Sequence, residues 1–179
     1  MTALLLSPHN DDAVLFASFL CLKFRPHVVT VLRSVNQEAS GITAAEREAE
    51  DAAAMETLGC ELTQWPEPDD DPDWDSVRSA LSNWNSVYQP SVVFAPWPEH
   101  HGGHPQHDRI GELAREIFGD RVRFYATYKV GGPRTTGTPS EPEPWMIPLK
   151  LRALACYESQ ILRGPRRLFM HGLDEWTMP

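Results

Sequence analysis

Two short polar stretches carry the residue types that do chemistry in this chain. The first, SPHNDDAVLF, places His9, Asp11 and Asp12 directly after the apolar run Ala3 to Ser7. The second, PWPEHHGGHPQHDR, places His100, His101, His104 and His107 directly after the apolar run Ser91 to Ala95. His9 and Asp12 are three positions apart, so a strand-to-helix turn can aim both at one point while Asp11 faces elsewhere. His104 and His107 repeat that offset at the start of a helical pattern. Two imidazoles and one carboxylate, with a fourth position open, form the ligand set of a catalytic zinc ion. The same set suits iron(II). Taken singly, either aspartate is most simply a helix N-cap, and His100 and His101 read as loop residues beside the pocket.

For these stretches to meet, the elements bearing them must deliver them to one edge. Strands are expected at Ala3 to Ser7, His27 to Leu32, Glu61 to Trp65, Ser91 to Ala95 and Val122 to Tyr128. Between them lie helical patterns. One runs from about Asp11 to Lys23. A second is opened by a Thr43/Glu46 capping box and closed at Gly59. A third carries Trp74, Val77, Leu81, Trp84 and Tyr88 on one face, and a fourth has Ile110, Leu113, Ala114 and Ile117 in helical period before Gly119. Residues 130 to 145 read as a loop, Ile147 to Leu162 as a last helix, and the tail as a segment that docks or frays. Regular strand–helix alternation implies a Rossmann-like, doubly wound α/β fold: one domain over residues 1–179 whose mostly parallel sheet carries helices on both faces. Such sheets bind ligands at the carboxyl ends of their strands, where both polar stretches fall.

Composition sets outer limits. The chain has 179 residues and a formal net charge of −9, and so lacks the basic excess of a nucleic-acid binder. Its three cysteines, Cys21, Cys60 and Cys156, are scattered, which suits buried thiols in a reducing compartment. The apolar start is too short for a membrane span or signal, so a cytoplasmic protein is expected. The run Glu67 to Asp75 reads as a solvated loop, since its prolines and Trp74 break the spacing of a calcium loop. Trp65, Trp74 and Trp84 are expected to pack against the core, leaving Trp97 and Trp145 as candidates for a sugar-stacking platform.

Together these stretches resemble the PIG-L/LmbE-type N-acetylglucosaminyl deacetylases. Their first motif, (P/A)-H-P-D-D-E, is matched by Pro8-His9-Asn10-Asp11-Asp12-Ala13, and their second, H-P-D-H, by His104-Pro105-Gln106-His107. Weaker likenesses are Arg47-Glu48-Ala49-Glu50 leading to Leu58-Gly59, and Lys150 to Gln160 ending Tyr157-Glu158-Ser159-Gln160. The resemblance implies zinc held by His9, Asp12 and His107, with Asp11 as general base. It also implies His104 as general acid or oxyanion donor, and Arg47 in contact with substrate. The implied substrate is a small N-acetyl sugar or glycoconjugate. Three departures stand out. Asn10 replaces a proline. Ala13 replaces a glutamate that supports the ligands. Gln106 replaces the aspartate expected to partner His104, which lowers the pKa of that imidazole and leaves Asp108 or Glu99 to compensate. They keep open a second reading, a metal-binding sugar-recognition protein of the same fold without catalysis. An iron(II) oxygenase, which His9-Asn10-Asp11 also suggests, would require a β-rich scaffold that the helical periods do not provide.

Overall fold

The computed structural model describes residues 2–35, 41–98, 104–127, 137–162 and 175–178. Glu99, His100, His101 and Tyr128 lie outside them. Five parallel strands form the body of the sheet: β1 (Ala3–Ser7), β2 (His27–Thr30), β3 (Glu61–Gln64), β4 (Val92–Pro96) and β5 (Val122–Tyr125). Two further strands, β6 (Thr138–Pro139) and β7 (Trp176–Met178), extend the edge antiparallel, giving the order β3-β2-β1-β4-β5-β7-β6. The mostly parallel α/β sheet expected from the alternation is therefore present. It also gains two edge strands, one from the expected loop and one from the tail, which docks.

Alternation within β1 divides the core. Leu5 packs with α1 (Asp12–Phe24), α2 (Ala44–Leu58) and α5 (Met146–Ala155) on one face of the sheet. Leu4 and Leu6 pack with α3 (Trp74–Tyr88) and α4 (Pro105–Phe118) on the other. All three leucines are at most 2% exposed, and burying each contributes about 1.5–3 kcal/mol. Helix ends follow the local signals. Thr43 Oγ1 accepts from the Glu46 amide at 3.1 Å, Gly59 closes α2 with φ 69°, and Pro105 opens α4.

Three expectations are corrected. The last helix is two: α5 stops at Ala155, and α6 (Glu158–Leu162) starts after a turn that sends Tyr157 into the core. Helix α1 is interrupted at Ala17 (φ −142°, ψ 18°), which frees backbone groups of its second turn. Lys150 Nζ donates to Leu15 O at 3.1 Å, and the Phe19 amide donates to both Glu175 oxygens at 3.0–3.1 Å. Lys150 and Glu175 pair at 2.6 Å, so one buried ion pair from the C-terminal part of the chain satisfies a break in the first helix. The third correction concerns the acidic loop. Its Asp69 is only 7% exposed and accepts from the Val35 amide at 2.8 Å, so this loop is built into the structure. The core-facing tryptophans 65, 74 and 84 pack as expected. Trp97 joins them, edge-on to Phe124 with ring centroids 5.1 Å apart, while Trp145 is 44% exposed.

Among the described residues, no helix is long and apolar enough to cross a membrane.

Candidate metal and catalytic centre

From β1 the chain winds outward through β2 to β3, then returns to place β4 on the other side of β1. The connections leaving β1 and β4 therefore diverge, and such a switch point opens a crevice at the strand ends. The turn Pro8 to Asp12 follows β1, and His104 and His107 stand at the start of α4 after β4. Residues nearly a hundred positions apart thus meet for topological reasons.

Their meeting is close. His9 Nδ1, Asp12 Oδ2 and His107 Nε2 form a triangle with sides of 3.0, 3.1 and 3.0 Å. Asp12 Oδ2 also accepts from the His9 amide at 2.8 Å, which folds the turn back on itself. Ligands bound to zinc at its usual distances lie about 3.3 Å apart, so this donor set fits a metal ion with little adjustment. The His104 ring lies 5.2 Å from that of His9 and 4.9 Å from that of His107, and all three histidines offer a nitrogen within 4.8 Å of one another.

The electrostatics suit a cation. Burial disfavours a charged imidazole at His9, yet Asp12, Gln106 and Asp11 outweigh it and raise its pKa to about 9. Against its own burial, Asp12 is held far below the usual carboxylate range by His107 and His9. Burial and then the neighbouring His107 and His9 push His104 down to about 4, so it is neutral at physiological pH.

Asp11 stands at the N-cap position of α1 but makes no capping hydrogen bond with its side chain. Its carboxylate instead pairs with Arg47 Nη2 at 3.1 Å. Arg47 is 1% exposed, lies over the Tyr157 ring, and also pairs with Glu50 at 3.3 Å. Glu50 is anchored in turn by the Ser159 amide and hydroxyl at 2.6 and 2.7 Å. The arginine foreseen as a substrate contact thus lies beneath Asp11, away from solvent.

Two sequence departures find their explanation here. Gln106 Oε1 lies 2.7 Å from His9 Nε2, and its amide nitrogen donates to Asp69 O. It does not partner His104. It accepts from His9 Nε2–H and leaves the Nδ1 lone pair facing the triangle, the usual way a ligand imidazole is oriented. At Ala13 no carboxylate is available, and the turn is supported by Ser7, whose hydroxyl donates to His9 O at 2.7 Å and accepts from the Ala13 amide at 3.0 Å. Neither contact leaves a signal in sequence spacing. Asp51 and Glu175 were missed for the same reason: an isolated acid on a helix or in a tail looks like surface.

Solved structures share this fold. A deacetylase of the teicoplanin biosynthetic pathway superposes with a TM-score of 0.76 at 21% identity, covering 96% of this chain and 89% of that one. The A40926 pseudoaglycone deacetylase Dbv21 gives 0.72 at 20% identity, covering 95% and 88%. GalB, the 4-carboxy-2-hydroxymuconate hydratase from Pseudomonas putida KT2440, gives 0.61 at 19%, covering 97% and 83%. At such identities these likenesses establish architecture alone. Among curated proteins, no sequence matches this chain significantly. The model of one protein family, PIG-L: GlcNAc-PI de-N-acetylase, matches residues 4–118, a span that contains both polar stretches and the helix bearing Arg47. The chain belongs to the PIG-L family.

Proposed function

We propose that this protein is a metal-dependent N-deacetylase that hydrolyses the acetamide of an N-acetylated amino sugar or sugar conjugate to acetate and a free amine. The observation that carries this reading is the His9–Asp12–His107 triangle with a second carboxylate, Asp11, held beside it by a buried arginine. Binding alone needs the triangle; Asp11 and its support are superfluous unless a proton must move. Membership of a de-N-acetylase family supports the reaction class. A structural relative described in complex with teicoplanin supports a glycoconjugate substrate.

His9, Asp12 and His107 would hold the metal, and zinc fits their donor set as iron(II) also does. Zinc bound there polarises an amide carbonyl and lowers the pKa of water to about 7. Asp11 takes the proton as water attacks, then returns it to the departing nitrogen, so one carboxyl serves both halves of the reaction. His104, neutral and without the family's aspartate, donates an N–H to the oxygen on which negative charge builds. Arg47 aims Asp11 through their 3.1 Å contact, and acts on substrate through it. The free thiols Cys21, Cys60 and Cys156 are consistent with a cytoplasmic setting.

The test is a panel of N-acetyl sugars and glycoconjugates incubated with zinc-loaded protein, with acetate and free amine both quantified. Equal release of the two from at least one compound supports the proposal. A protein that binds zinc and a panel member yet releases neither is the sugar-recognition protein instead.

A further inference from the structure

Behind the metal triangle lies a carboxyl group for which the mechanism has no use. Asp51, on α2, is fully buried. Thr30 Oγ1 donates to its Oδ2 at 2.7 Å, as do Gln64 Nε2 at 3.1 Å and Asn10 Nδ2 at 3.4 Å. Its other oxygen, Oδ1, faces the Tyr157 hydroxyl at 3.2 Å. That hydroxyl has a single hydrogen, and its shorter contact is to Asn10 O at 2.6 Å. With the phenol's hydrogen given to Asn10, two oxygen atoms face each other across Oδ1 and Oη. The contact is a hydrogen bond only if Asp51 supplies the proton.

The charges around it agree. On its own helix, Arg47 is engaged by Asp11 and Glu50, two carboxylates to one guanidinium, and Glu48 pairs with Arg33. Strands β2 and β3 offer Asp51 only the neutral Thr30 and Gln64, and the α5–α6 joint only the phenol of Tyr157. Among the described residues no ion pair supplies Asp51 with a cation, and the local balance is already negative. Burial outweighs the hydrogen bonds donated by Thr30, Gln64 and Asn10 and pushes Asp51 up to about 7.

We propose that Asp51 is a positioning residue that works in its protonated form, donating to Tyr157, which in turn donates to Asn10 O and so fixes the turn carrying His9, Asp11 and Asp12. In that turn Asn10 stands where the family's motif has a rigid proline, and the relay supplies from outside the restraint that the residue lacks. Loss of the proton leaves an Asp51 carboxylate that competes with Asn10 O for the Tyr157 hydrogen and releases the turn. The consequence for turnover rests on the deacetylase reading; the protonation of Asp51 does not.

The sign of the linkage is fixed by the raised pKa. The folded protein keeps a proton that the unfolded chain releases from about pH 4 upward, so this contribution to stability is lost as pH rises towards about 7.

Carbon-13 NMR of metal-free protein labelled at aspartate carboxyls tests the proposal directly. One resonance titrating near pH 7, displaced in Tyr157→Phe and missing from Asp51→Asn, is expected. If every aspartate titrates in the ordinary carboxylate range, the proposal is overturned, whatever the enzyme does. With an active preparation, the ratio of kcat at about pH 8 to kcat at about pH 6 should rise at least about threefold in Asp51→Asn, whose amide mimics the neutral acid. An unchanged ratio beside a titrating Asp51 would show that the relay does not govern the turn.

Discussion

Asp11 and Asp12 are neighbours in sequence with opposite surroundings. Asp12 faces two imidazoles, and Asp11 faces a buried guanidinium. In the proposed mechanism this difference separates a metal ligand from a proton carrier, and it yields distinct outcomes. Arg47→Ala should leave zinc binding within about twofold of wild type but lower kcat about 10²-fold, because Asp11 loses the partner that aims it. Steady-state kinetics with zinc content measured on the same preparation checks this. Gln106→Leu should do the reverse in the first instance. By removing the acceptor on His9 Nε2 it should weaken zinc affinity about 10–100-fold, read by calorimetric titration. The candidate ligands and Asp11 could be named from the sequence because each stretch has a local three-residue offset and both stretches match the family's motifs. The roles of Gln106, Ser7 and Asp51 were not, because each depends on a contact between elements whose relative placement no local pattern encodes.

At the scale of elements, the position of α4 matters most, since it carries His107 and begins directly after His104. Gly111 sits one turn beyond His107, on the side that meets the end of β4. A Cβ there would overlap Pro96 O and lie 3.0 Å from Pro98 Cδ. Gly111→Ala should therefore push the start of α4 outward, lowering stability by about 1–3 kcal/mol and weakening zinc binding together, by urea unfolding and calorimetry. Elements with clear end signals, such as α2, or a periodic face, such as α3, were readable from sequence. Strand ends were read too long where apolar residues continue past the ladder. Val31 and Leu32 are buried like strand residues, but they bond to Ser7 O and Pro8 O as the chain leaves the sheet. The split of the last helix and the interruption of α1 went unseen because each goes with a contact to a distant element, Tyr157 with the turn after β1 and Lys150 and Glu175 with α1.

At the scale of the whole molecule, the fold brings its two ends together at the first helix. The Lys150–Glu175 pair ties α5 and the approach to β7 to the break in α1, soon after the turn that carries His9, Asp11 and Asp12. Removing one member leaves a buried charge alone. Lys150→Met should thus destabilise the protein by about 3–5 kcal/mol, and Lys150→Met with Glu175→Leu should cost less than the sum of the single changes, in a denaturation cycle. The parallel sheet, with both polar stretches at the carboxyl ends of its strands, was readable from strand–helix alternation, whereas the antiparallel edge was not, because its strands are only two and three residues long. The proposed function rests on one separation: metal held by His9, Asp12 and His107, proton carried by Asp11. Zinc content and acetate release measured side by side on wild type, Asp11→Asn and His107→Ala test it most directly. Wild type should hold zinc and release acetate, Asp11→Asn should hold zinc with turnover reduced at least about 10²-fold, and His107→Ala should lose the zinc. Undiminished acetate release by Asp11→Asn, or full zinc content in His107→Ala, would contradict it.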